Sequence, residues 1–225
     1  MKNVLISTGG SGGHVVPAKI IYEHLKEQFN ISITSDQRGI KFLDKEKYNI
    51  EIIDAPKVSK NILLSFLQIF SLLNLIFKSF FFIKRKKIEI LISTGGYMSL
   101  PLCLASRVLN IKLFLVEPNM VLGRSNKLFV SYCTKIFCYS DKIKNFPNKF
   151  RNKNSLIPPL LRKEFYLSKT KKDINKEINL LIIGGSQGAK LFDTVIGKSI
   201  INLSKKYKLK IFHQTSLKNY DNLSN

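Results

Sequence analysis

A strand that runs into STGGSGGH and then into the apolar helical stretch VVPAKIIYEHL restricts the choice of fold more than any other part of this chain. Gly9, Gly10, Gly12 and Gly13 allow positive φ and let backbone N–H groups approach an anion, and the helix N-terminus behind them adds a favourable partial charge. The same order of strand, glycines and helix returns in LLIIGGSQGAKLF at Gly184, Gly185 and Gly188. A third junction, LISTGGYMSLP, spans Gly95 to Pro101. One such turn is often a bare connection. Three of them, each at the C-terminal end of a strand where α/β sheets bind ligands, read as phosphate or sugar cradles.

The remaining pattern agrees with an α/β class. Apolar runs predict strands over 3–8, 88–94, 111–116, 134–139, 178–183 and 209–213, with another in ISITS before Asp36. Helical spacing covers 17–29 and 99–109, so strands alternate with helices and the sheets should be parallel. Pro147, Pro158, Pro159 and the run KTKKDINKE break the pattern and place a linker over 141–176, between a first domain at 1–140 and a second at 177–225.

The glycine turns exclude two familiar nucleotide sites. Neither GGSGGH nor GGSQGA supplies G-x-G-x-x-G, so Asp36 is not read as the ribose acid of a dinucleotide fold, and GGSQGAK lacks the Walker pattern. There is no D-x-D pair and no His/Cys/carboxylate cluster with ligand spacing, so no metal or cofactor is expected. Cys103, Cys133 and Cys138 form no C-x-x-C pair and, with no secretory leader expected, read as reduced thiols. The formal charge of +22 favours phosphates or anionic lipid, or reflects a Lys-rich composition. No RRM, KH, helix-turn-helix or zinc pattern accompanies it, so no nucleic-acid partner is expected.

Residues 61–87, NILLSFLQIFSLLNLIFKSFFFIKRKK, are long and apolar enough to raise the question of a membrane span. Ser65, Gln68, Ser71, Asn74 and Lys78 recur at steps of three or four, leaving a polar stripe, and KRKK follows at 84–87. The expectation is a helix lying against an anionic membrane surface; the alternatives are a core helix with a solvated basic end and a true span.

These motifs resemble those of the MurG family of peptidoglycan transferases. GGSGGHVVPA resembles the family's GGTGGH-x-x-PA loop, GGYMSLP its GGY-x-S-x-P loop and GGSQGAK its GGSQGA loop. LVEPN at 115–119 is similar to HEQN, PPLLRKEF at 158–165 to NP-x-R, and IFHQTS at 211–216 to WHQSG, all in order along the chain. The resemblance implies two Rossmann-like domains of GT-B type, the second incomplete. It also implies an inverting transfer of N-acetylglucosamine from UDP-N-acetylglucosamine to undecaprenyl-linked muramyl-pentapeptide, peripheral at the cytoplasmic face of the bacterial inner membrane. An alternative is a non-catalytic membrane-side module that binds lipid-linked sugar and needs a separate donor-binding chain.

The resemblance also assigns roles. His14 becomes the general base for the acceptor hydroxyl, work that suits imidazole because it titrates near neutrality. Glu117, a second carboxylate in the cleft, is the other catalytic candidate, with a surface ion pair as its alternative. Ser11, in place of the family's Thr, is donor-binding together with Gly12, Gly13, Asn119, Arg162, Ser186, Gln187 and Gly188, while Tyr97 and Ser99 line the acceptor pocket. Pro118 stands where the family has Gln. His24 is expected to be structural.

Overall fold

The computed structural model describes residues 1–54, 62–167, 177–184, 192–193 and 195–215. The chain forms two compact units, Met1–Ser168 and Lys169–Asn225. In the first, a seven-stranded sheet is built from β1 (Asn3–Ser7), β2 (Asn30–Ser35), β3 (Ile50–Ile52), β4 (Ile90–Ser93), β5 (Lys112–Glu117), β6 (Lys135–Cys138) and β7 (Asn154–Leu156). The strands are ordered β3-β2-β1-β4-β5-β6-β7. Every pairing is parallel, with Leu5 opposite Ser32 on one side and Leu91 on the other.

Alternation along the strands divides the core between the two faces of the sheet. Leu5, Leu91, Leu115 and Ile136 belong to one buried cluster, which is covered by Ile83 of α3 (Ile62–Arg85) and Leu102 of α4 (Leu100–Val108). Val4, Ile6, Ile33 and Val116 point the other way, onto Val15, Ala18 and Ile21 of α1 (Gly12–Leu25). Central strands buried on both faces need continuous apolar runs, which NVLI and ILI supply. Each fully buried aliphatic side chain in these clusters contributes roughly 1.5–3 kcal/mol.

α1 starts at Gly12, five residues before the helical spacing read from Pro17 onward. Ser11 is its extended N-cap (φ −124, ψ 162), and Pro17, the sixth residue of the helix, lies inside it with no N–H to donate. The linker expected over 141–176 is corrected up to residue 167. Phe146 is buried in the core, residues Asn148–Lys153 form a 3₁₀ turn, and β7 pairs with β6. α6 (Lys163–Leu167) lies against α1, where Lys163 Nζ meets Glu27 Oε1 at 3.0 Å and His24 Nε2 lies 3.0 Å from the Leu161 carbonyl. Prolines therefore mark the route of the last sheet strand rather than a break between units. Two short elements, the three-residue strands β3 and β7, were not legible in the sequence.

The second unit contains a parallel pair, β8 (Ile178–Ile182) with β9 (Leu209–His213), and helix α7 (Ile196–Ser204) between them. Ile182 is buried, and His213 Nε2 lies 3.2 Å from Asp193 Oδ1. Among the described residues no helix is long and apolar enough to cross a membrane.

Candidate functional site

The strand order turns back on itself at β1. From β3 the chain crosses to β4 on the other side of β1, so the loops leaving β1 and β4 diverge and open a crevice at the C-terminal edge of the sheet. Residues 8–14 enter it from β1, 94–99 from β4, Asp36 from β2 and 117–126 from β5.

His14 occupies the first turn of α1, and its Nδ1 lies 2.8 Å from the carbonyl oxygen of Thr94. A carbonyl can only accept, so Nδ1 carries the proton and donates it, and in the neutral ring Nε2 keeps the lone pair. The third glycine turn makes this contact possible. Gly95 has φ +88, and a Cβ there would stand 3.3 Å from His14 Cε1. Thr94 is fixed in turn, its N–H donating to the Ser7 carbonyl at 3.1 Å and its hydroxyl to Thr8 Oγ1 at 2.8 Å.

Asp36 is buried at the end of β2, caps the short helix α2 (Gln37–Ile40) and reaches across to the first glycine turn. Its Oδ1 accepts from the N–H groups of Gly10 and Gly39, both at 2.8 Å, and Oδ2 accepts from Arg38 Nε at 2.9 Å. Burial pushes its pKa up, but the two backbone donors and the Arg38 guanidinium outweigh that and hold it below the usual value. The acid weighed in the sequence as a ribose ligand is thus turned inward onto the protein.

Glu117 is also buried, which removes the surface ion-pair reading. Oε1 accepts from Asn119 N at 3.2 Å and Asn119 Nδ2 at 2.9 Å, while Oε2 accepts from Gly123 N at 2.7 Å and Asn126 Nδ2 at 3.0 Å. Four donors occupy the carboxylate, which shapes the loop from β5 into α5 (Arg124–Phe129). Asn119 keeps an exposed place on that loop with its amide nitrogen tied to Glu117.

Ser99 stands behind the third glycine turn. It is fully buried, donates to the Gly96 carbonyl at 2.8 Å and lies 3.0 Å from Ser125 Oγ, so it braces the third turn from behind. Tyr97 is half-buried in the 3₁₀ turn ahead of α4. Ser11 and Gly13 are exposed at the start of α1, where Ser11 makes no side-chain cap and the first N–H groups have no helical acceptor. Arg162 is exposed along the flank of α1, in a cleft shared with Val16, Lys19, Ile20, Glu23, Lys47 and Tyr48. Ser186, Gln187 and Gly188 lie outside the described residues.

Burial raises the thiols of Cys103, Cys133 and Cys138 to about 12, 11 and 12, so all three stay protonated near neutrality. Among the described residues no three His, Cys, Asp or Glu side chains form a group that could hold a metal ion. Sequence reasoning missed Thr94, Asn126 and the role of Asp36. Only Asp36 carried a local signal, an acid just past a strand with Gly39 three residues on, as in a helix N-cap.

Residues 4–138 match the glycosyltransferase family 28 N-terminal domain. The chain is 60% identical over 223 residues to the UDP-N-acetylglucosamine–N-acetylmuramyl-(pentapeptide) pyrophosphoryl-undecaprenol N-acetylglucosamine transferase of Pelagibacter ubique, covering 98% of this chain and 62% of that protein. To the protein of the same name from Francisella philomiragia it is 30% identical over 234 residues, covering 100% of this chain and 63% of the relative. The chain thus spans less than two thirds of the length of these relatives. The crystal structure of Acinetobacter baumannii MurG superposes with a TM-score of 0.76 at 24% identity, covering 100% of this chain and 64% of that one. A Neisseria meningitidis UDP-GlcNAc 2-epimerase gives 0.59 at 17% identity, covering 99% and 69%; both likenesses speak for the fold alone. Because the family match spans more than half of the chain and falls on the sheet and turns that build the crevice, the chain belongs to glycosyltransferase family 28.

Proposed function

We propose that this chain supplies the base and the acceptor-side crevice for transfer of N-acetylglucosamine from UDP-N-acetylglucosamine to the muramyl sugar of an undecaprenyl-pyrophosphoryl pentapeptide precursor. The observation that carries the reading is the His14 ring, whose Nδ1–H is held by the Thr94 carbonyl at 2.8 Å beside a bare glycine turn. Nε2 takes the proton of the attacking sugar hydroxyl as its oxygen bonds to the anomeric carbon. The bond from that carbon to the UDP oxygen breaks, its electron pair leaves with UDP, and this single displacement inverts the anomeric centre. As the imidazolium forms, its Nδ1–H bond to Thr94 strengthens. Ser11, Gly12, Gly13, Asn119, Arg162, Ser186, Gln187 and Gly188 are proposed on the donor side and Tyr97 on the acceptor side. The name carried by the 60% identical Pelagibacter relative supports the choice of substrates.

The reaction is assigned to the cytoplasmic face of the bacterial inner membrane, with α3 as the peripheral contact. Phe70, Leu73, Phe77 and Phe81 recur at helical steps and are all exposed, between 51% and 71%. Lys84 and Arg85 close the helix and Lys86 and Lys87 follow. An exposed aromatic stripe with a basic end fits an anionic bilayer. Vesicle co-sedimentation should rise with anionic lipid and fall with salt, and Phe77→Ser with Phe81→Ser should weaken it; indifference to both contradicts the contact.

To test the transferase, the chain is fused to the part of the Pelagibacter relative that it does not span, and labelled N-acetylglucosamine is followed from UDP-N-acetylglucosamine to the lipid-linked muramyl acceptor. Transfer is expected. A folded chimera without transfer contradicts the reading.

A further inference from the structure

The first glycine turn has no side chain of its own to hold it, yet it carries Ser11 and delivers His14 to the Thr94 carbonyl. Gly10 stands at φ +81, and the N–H of Ser11 reaches back only to the Gly9 carbonyl at 3.1 Å. What pins this segment from outside is the carboxylate of Asp36, twenty-six residues away, through Gly10 N–H at 2.8 Å. The same oxygen takes the Gly39 N–H at 2.8 Å, which couples the turn to the start of α2. The fit is tight: a Cβ at Gly9 would stand 2.8 Å from Asp36 Oδ1, and one at Gly39 would stand 2.9 Å from Gly9 Cα. On the opposite side a Cβ at Gly96 would stand 3.3 Å from the Gly9 carbonyl oxygen. The turn is therefore clamped between the end of β2 and the third glycine turn.

We propose that Asp36 is a positioning residue for the crevice. By accepting from Gly10 N–H it sets the path of residues 9–11, and through them the first turn of α1, so that His14 meets Thr94 with Nδ1–H and leaves Nε2 free. Arg38, at 2.9 Å from Oδ2, keeps the carboxylate ionised and turned toward the glycines. Asp36 itself touches no reacting atom. The proposal rests on His14 being the functional group of the crevice, but its test reads the His14 tautomer and so does not require turnover.

The unaltered 225-residue chain is compared with Asp36→Ala and Asp36→Asn by NMR, following amide exchange at Gly10 and the ¹⁵N resonances of the His14 ring, with circular dichroism as the check on fold. Asp36→Ala should speed Gly10 exchange by about ten-fold or more and move the His14 nitrogens from the Nδ1–H pattern toward the average of the two tautomers. Asp36→Asn, which keeps an acceptor oxygen, should restore most of both. A folded Asp36→Ala chain with wild-type Gly10 exchange and tautomer overturns the proposal. If the alanine chain does not fold, an acid titration of the unaltered chain decides. The Gly10 and Gly39 amides should follow the Asp36 carboxyl through one transition, and a Gly10 amide that ignores it overturns the proposal.

Discussion

Asp36 and Glu117 stand at the C-terminal ends of two strands on opposite sides of β1, and each gathers a loop around a buried carboxylate. Their partners differ. Glu117 draws all four donors from the nine residues that follow it, and all four are neutral. Asp36 takes one donor from its own helix, one from a loop twenty-six residues earlier, and pairs its second oxygen with a guanidinium. One carboxylate therefore shapes a single loop, whereas the other ties two elements together. Removing Glu117 should damage stability most, and removing Asp36 should damage the link between turns at a smaller cost in stability.

The largest effect is expected from Glu117→Ala. It removes the shared acceptor of two backbone N–H groups and two side-chain amides around a buried carboxylate and should lower stability by about 3 kcal/mol, read from the urea midpoint. Glu117→Gln, which keeps acceptor oxygen, should cost about 1 kcal/mol. Equal losses for the two variants would mean that charge, not acceptor geometry, organises this loop. Asp36→Ala comes next, at about 2 kcal/mol, from a lost cap and a lost turn contact.

Acid tests the Asp36 carboxylate directly. The folded pKa of Asp36 is held below its ordinary value, so its stabilisation is complete above the unfolded carboxylate pKa of about 3.9 and is lost as pH falls through the lower folded value. Urea midpoints taken down that range should fall less steeply in Asp36→Asn than in the unaltered chain. Identical slopes would remove Asp36 from the acid response. The smallest effect is expected at Thr94→Val, which takes the buried donor from Thr8 Oγ1 but leaves the carbonyl that holds His14, and should cost about 1 kcal/mol.

The sheet was largely legible because its central strands are continuous apolar runs, and the crevice because glycine pairs follow two of them, β1 and β4. β3 and β7 were not, since three residues give no period and β7 reads as the polar NSL inside a proline-rich stretch. The start of α1 was hidden by glycines and Pro17, residues that lower helical propensity. The motif singles out His14, whereas its partner is a backbone carbonyl eighty residues away, which no side-chain pattern encodes. The resemblance places Glu117 and Ser99 in the cleft by motif, and a motif does not report the burial that both side chains have.

The central claim is that His14, oriented by Thr94, is the base of the crevice, and the most direct measurement is steady-state kinetics of the chimera with His14→Ala. The account predicts a fall in kcat of about 10²- to 10⁴-fold with the KM for UDP-N-acetylglucosamine little changed. Unchanged turnover with a raised donor KM would contradict it, and would make His14 a binding residue of the first glycine turn instead.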